Sequence, residues 1–281
     1  MGIIEKAMRA RDTAAPEAAR SPRPVARNRR SARPAPAPGG VTAEFARLTA
    51  AGFLPDPEKD ASLIEQLRHL KRPILQNAFG PLKDGVSNVI MVTSARPGAG
   101  KSFVSAGLAY ALTRERELSV VLADLDNIRA TLTKELGLGD QAGFFDAADS
   151  DELGLESTLV KTEIPGLRIL PTGRPATDSA ELLNTERVRH LLRDFAEDDP
   201  SRIIILDSPP LLATADAHAL LELADQVILV VEAGVTKLSE MRQIIASIGK
   251  DKPVGLVLNK SIGGLSTLYG SDYYAGSAYQ R

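Results

Sequence analysis

The chain has 281 residues, 43% of them hydrophobic and 25% charged, with a formal charge of −2. That is a globular composition, and its length lies where a single core saturates, at roughly 250–300 residues, so one large domain with appendages is expected. Cysteine is absent and the three histidines (His69, His190, His218) are widely spaced, which excludes disulfides, thiolate nucleophiles and a local His/Cys metal motif.

Residues 1–40 carry nine Lys/Arg against three Asp/Glu, a net of +6, leaving −8 for residues 41–281. Met1–Lys6 lacks the apolar core of a signal peptide, and Lys6 spoils a myristoylation pattern. Within residues 1–11, the spacing of Ile3, Ile4, Ala7 and Met8 predicts a short amphipathic helix that needs a partner surface to be stable. Residues 12–40 are rich in Ala, Pro and Arg and read as a solvated linker. Such a stretch can attract nucleic acid or anionic lipid. No aromatic residue is interleaved for base stacking, so a charged linker without a nucleic-acid partner is the expectation.

A helical lead-in occupies residues 41–86, where Val41, Phe45 and Leu48, then Leu63, Leu67 and Leu70, recur at helical intervals. From 87 to 260 the texture becomes α/β. Apolar runs at Val89–Val92, Val120–Leu122, Leu167–Leu170, Ile203–Leu206, Val227–Val231 and Val254–Leu258 predict strands. Helices are predicted between them near 102–115, 128–136, 179–196, 214–223 and 236–248. Strands without period-2 alternation, separated by helices, imply a doubly wound, mostly parallel sheet buried on both faces. No run approaches the ~18 uncharged apolar residues of a membrane helix, and a cytosolic protein is expected.

The first strand leads into Thr93-Ser94-Ala95-Arg96-Pro97-Gly98-Ala99-Gly100-Lys101-Ser102 and then an apolar helix. Residues 95–102 read A-x-x-x-x-G-K-S, a phosphate loop with Ala in place of the first Gly. Its glycines let backbone N–H groups curl around phosphate oxygens, and the helix adds its positive N-terminal dipole. Lys101 would reach the β- and γ-phosphates, and Ser102 would ligate Mg²⁺. Ala95 would have to adopt a backbone conformation that Gly takes freely.

Two later strands end in carboxylates, Asp124-Leu125-Asp126 and Asp207-Ser208-Pro209-Pro210, at the rim where open α/β sheets bind ligands. Beside a phosphate loop they would hold Mg²⁺ or poise a hydroxyl for attack. The alternative for Asp124 and Asp126 is capping of the helix predicted at 128–136. Four of the five tyrosines, Tyr269, Tyr273, Tyr274 and Tyr279, fall in the last thirteen residues. Residues 261–281 read as a flexible tail whose hydroxyls are either accessible phosphoacceptors or docking aromatics.

Together these residues resemble the bacterial tyrosine autokinases that accompany exopolysaccharide synthesis, and the subgroup associated with exosortase systems most of all. The resemblance rests on Ala95–Ser102, on Asp124-Leu125-Asp126 with Arg129, on Asp207-Ser208-Pro209-Pro210, on Val257-Leu258-Asn259-Lys260 and on the tyrosine tail. Met1–Ala10 is similar to that subgroup's start. Ser94–Ser102 fits the kinases better than the partition ATPases, which carry a signature Lys where Arg96 stands. The resemblance implies a MinD-like P-loop NTPase fold, ATP with Mg²⁺, and phosphorylation of Tyr269, Tyr273, Tyr274 and Tyr279 between neighbouring protomers. It assigns Pro97, Gly98, Ala99, Gly100, Lys101, Ser102, Phe103 and Asn259 to the nucleotide, and Ser102, Asp126 and Asp207 to the metal. Catalysis falls to Lys101, Asp124, Asp126 and Asp207, with Asp124 nearest the acceptor hydroxyl. Glu65, Arg68 and Lys71 are similar to the family's oligomerisation motif and are expected on one helix face of a ring-like or dimeric homo-oligomer. A membrane-embedded activator of the chain-length-determinant type and a cognate tyrosine phosphatase are implied partners, placing the chain peripherally at the inner membrane. A MinD-type switch ATPase and a nucleotide-binding scaffold are the competing readings.

Overall fold

The computed structural model describes residues 42–54, 60–80 and 87–261. The expected N-terminal helix, the linker and, apart from Ser261, the tyrosine tail lie outside the described residues.

Eight strands form one sheet among the described residues, in the order β1-β4-β5-β3-β6-β2-β7-β8. They are β1 (Thr42–Ala43), β2 (Val89–Ser94), β3 (Ser119–Asp124), β4 (Val160–Thr162), β5 (Leu167–Leu170), β6 (Arg202–Asp207), β7 (Gln226–Glu232) and β8 (Val254–Asn259). Every pairing is parallel except β4 with β5. The helices are α1 (Phe45–Ala50), α2 (Ala61–Phe79), α3 (Lys101–Leu112), α4 (Thr131–Glu135), α5 (Phe144–Ala148), α6 (Leu155–Thr158), α7 (Ser179–Leu183), α8 (Glu186–Glu197), α9 (Ala215–Leu223) and α10 (Leu238–Ile248).

The central strands are buried on both faces, as their unbroken apolar runs require. Ile203 and Ile205 of β6 join Ile90, Val92, Val104 and Leu108 in a core beneath α2 and α3. Ile204 and Leu206 join Met91, Val121, Phe195 and Leu220 in a second core beneath α8 and α9. Helix α2 lies close against α3: a Cβ on Gly107 would come within 3.0 Å of Leu67. Burying a leucine or isoleucine in such a core contributes about 1.5–3 kcal/mol.

The sequence expectations fail where elements are short or where a loop has another task. The helix predicted over 179–196 is two helices. The chain breaks at Asn184-Thr185, where the Thr185 hydroxyl accepts the Val188 N–H and caps α8. The helix predicted over 128–136 contracts to α4, because residues 125–130 form a loop at the sheet rim. Thr42 and Ala43, inside the helical pattern begun at Val41, instead pair with β4. Strand β4 and helices α5 and α6 carry too few residues for periodicity to register.

Candidate nucleotide site

Strands β2 and β3 follow one another in sequence but are separated in the sheet by β6. The crevice opened at their C-terminal ends is where such a sheet receives a ligand. Into it run the phosphate loop after β2, the acidic loop after β3 and the Asp207 turn after β6.

Gly98 and Gly100 adopt left-handed conformations, with φ of +87° and +95°, so the loop requires glycine there. At Gly100 space is the second constraint, since a Cβ would lie 2.1 Å from Asn259 Nδ2. Ala95 is buried and is not among the described non-glycine residues with positive φ. The missing first glycine therefore imposes no left-handed strain. Lys101 opens α3 and is 7% exposed. Burial pulls its ammonium below the usual lysine range, while the charges of Asp207 and Asp126 pull it back up.

Asp207 closes β6 beneath the loop, and its carboxylate accepts the Ser105 hydroxyl at 3.1 Å, with the Ser102 hydroxyl near enough to favour its charged form. Burial pushes its carboxyl up to about 7, reinforced by the charge of Asp124 and opposed by Ser102 and Lys101. Asp124 is raised to about 6, again chiefly by burial. The structure thus brings Lys101, Ser102, Asp126 and Asp207 together around one crevice.

Asp124, the residue expected nearest the acceptor hydroxyl, closes β3. It is fully buried, and its Oδ2 accepts the Thr133 N–H of α4 at 2.8 Å. Asp126 lies closer to the surface, at 6% exposure, and its Oδ1 accepts the Arg129 N–H. Asp124 thus satisfies an N–H in the first turn of α4, close to the capping alternative, whereas Asp126 bonds Arg129, which precedes that helix. The acidic loop is pinned from the β5 side: Asn127 exchanges two hydrogen bonds with the backbone of Ala176, and Thr172 donates to the Asp124 carbonyl. Ala130, at φ +47°, carries the strain of that turn.

Phe103 is half-buried against the core beneath α3. Pro97 is exposed, and Arg96 pairs with Glu240 of α10 at 2.6 Å. Asn259, expected to meet the nucleotide, donates to the Ala99 carbonyl at 2.9 Å. Residues to which the sequence assigned no role include Ser105, Thr133, Thr172 and Lys260, the last named only within the run Val257-Leu258-Asn259-Lys260. Ser105 alone had a local signal, lying one turn after Lys101 on the same helix face.

The three charges expected on one face of α2 are separated. Glu65 and Arg68 are exposed and pair with each other at 3.0 Å. Lys71 is buried, donates to the Ala111 carbonyl and pairs with Glu115 at 2.5 Å. The reason is helical geometry: each step of three residues falls about 60° short of a full turn, so Glu65 and Lys71 sit about 120° apart. The exposed Arg72 returns to within about 20° of Glu65.

Residues 90–275 match the sequence profile of the CobQ/CobB/MinD/ParA nucleotide binding domain. The putative tyrosine-protein kinase EpsB of Ralstonia nicotianae is 32% identical over 190 residues, which are 67% of this chain and 24% of that protein. The tyrosine-protein kinase YwqD of Bacillus subtilis is 28% identical over 172 residues, covering 60% of this chain and 71% of YwqD. The chain therefore spans about a quarter of EpsB. Among solved structures, the VpsO kinase domain superposes with a TM-score of 0.59 at 27% identity, covering 77% of this chain and 97% of that domain.

Proposed function

The chain belongs to the CobQ/CobB/MinD/ParA family of nucleotide-binding domains, and from that footing we propose that it is an ATP-dependent protein tyrosine autokinase acting on its own C-terminal tyrosines. The observation that carries the reading is the convergence of Lys101, Ser102, Asp126 and Asp207 at the N-terminus of α3. The names of its relatives support tyrosine as the acceptor, as does the cluster of Tyr269, Tyr273, Tyr274 and Tyr279.

The donor set fits Mg²⁺-ATP. The α3 N-terminus and the loop amides suit phosphate oxygens, and a hydroxyl beside buried carboxylates suits a hard cation. Ser102, Asp207 and Asp126 would hold the Mg²⁺, which when bound neutralises charge on the phosphates. Lys101 holds the β- and γ-phosphates. Asp126, the more accessible of the acidic pair, orients the acceptor hydroxyl and takes its proton, while Asp124 fixes the loop that carries it.

Transfer between protomers, a ring-like or dimeric assembly, a membrane-embedded activator of the chain-length-determinant type and a dedicated phosphatase complete the proposal, with the chain held at the membrane by its activator. No helix among the described residues is long and apolar enough to cross a membrane. Regulation of exopolysaccharide polymerisation or export is the proposed role.

Incubation with ATP and Mg²⁺ followed by mass-spectrometric mapping should find phosphotyrosine in the tail. Mixing a Lys101→Ala protein bearing the tail with an active protein truncated after Lys260 should label the inactive partner. ATP hydrolysis without any phosphotyrosine would point instead to a MinD-type switch.

A further inference from the structure

Strand β8 ends in Asn259, Lys260 follows it, and both side chains reach the phosphate loop. Asn259 Nδ2 donates to the Ala99 carbonyl at 2.9 Å, and Lys260 Nζ donates to the Gly98 carbonyl at 2.7 Å. The ammonium is held from its other side by Glu232 Oε1 of β7, at 2.9 Å. Lys260 itself has a φ of +58°, an uncommon conformation for a residue with a side chain. Strain of that kind persists where the surroundings over-determine it.

Peptide geometry gives these contacts a consequence. A trans peptide is planar, with its C=O and the following N–H directed oppositely. Fixing the Gly98 oxygen therefore fixes the Ala99 N–H, and fixing the Ala99 oxygen fixes the Gly100 N–H. Both amides are thereby directed away from the β8 side chains that hold the carbonyls. A charged donor on a carbonyl also polarises its peptide and strengthens the N–H as a donor.

We propose that Lys260 is a positioning residue for nucleotide phosphate. Through the Gly98 carbonyl, and alongside Asn259, it sets the amides of the phosphate loop. Glu232 aims its ammonium, so the three residues act as a unit at the point where β8 hands over to the tail. The inference rests on nucleotide binding by the loop and does not depend on tyrosine being the acceptor.

The test is the affinity of the full-length protein for ADP and for adenosine, measured by calorimetry. Lys260→Ala should weaken ADP binding about tenfold and leave adenosine binding and the melting temperature unchanged. Lys260→Arg should restore most of the loss, and Glu232→Gln should reproduce a smaller part of it. An exposed ion pair with only a structural role would leave ADP affinity where it was. ADP binding by Lys260→Ala within twofold of wild type, or an equal loss for adenosine, overturns the proposal. Absence of phosphotyrosine in any of these proteins would count against the kinase reading alone.

Discussion

Asp124 and Asp207 are partners in the register of β3 and β6, both are buried, and the charge of Asp124 raises the pKa of Asp207. Both folded-state pKa values, about 6 and about 7, lie above that of a free carboxylate, so the native state holds protons that the unfolded chain releases. Their contribution to stability is full below about pH 4 and is lost as pH rises toward 7. Without nucleotide, the stability difference between wild type and Asp207→Asn should shift against wild type across that window. Urea denaturation at a series of pH values measures it, and a pH-independent difference would contradict the assignment. Mg²⁺-ATP binding near pH 6 should release protons, detectable by calorimetry in buffers of different ionisation enthalpy.

Lys101→Ala and Ser102→Ala should each abolish productive Mg²⁺-ATP binding while leaving the fold intact. The buried ammonium faces Asp207 and Asp126, so removing it should also raise the Asp207 pKa further. Circular dichroism paired with nucleotide titration checks both. Wild-type phosphorylation in either variant would remove the loop from the mechanism.

The three aspartates should separate on mutation. Asp207→Asn and Asp126→Asn should lower phosphoryl transfer by about a hundredfold or more, through metal placement and the acceptor proton. Asp124→Asn can keep an oxygen for the Thr133 N–H but then turns its NH2 toward the Asp126 N–H, so it should fold slightly less stably than wild type. Its loss of activity should be the smallest of the three. Single-turnover rates at saturating ATP give the ranking, and a largest loss at Asp124 would restore it to the acceptor's side.

Lys71→Ala should destabilise the fold by about 1–3 kcal/mol, since it removes a buried hydrogen bond to α3 and the packing of its stem. Arg68→Ala, on an exposed pair, should cost less than about 0.5 kcal/mol. Light scattering alongside denaturation separates stability from assembly. Assembly lost in Lys71→Ala at unchanged stability would refute the inward role.

How much of this was legible in the residues depended on locality. The strands around Val89, Ile203 and Val227 announced themselves because burial on both faces demands unbroken apolar runs. The phosphate loop did so because its chemistry needs particular residues at fixed spacing. Thr172 gave no such sign, for it meets Asp124 only after the sheet has brought β3 and β5 together, and Thr133 meets it only because the acidic loop turns back on β3. The same holds for Lys260, whose partner Gly98 lies far away in sequence. On α2 the spacing was read correctly, yet i, i+3, i+6 winds about 120° around a helix and carries Lys71 indoors.

Strand order has one more consequence. Strands β1 and β8 form the opposite borders of the sheet. Seven strand spacings of about 4.8 Å put them roughly 34 Å apart. A protomer using both borders to grip its neighbours would present unlike surfaces to left and right. Assemblies made that way have polarity: they close into rings or continue as filaments, and they lack the self-complementary contact of a two-fold dimer.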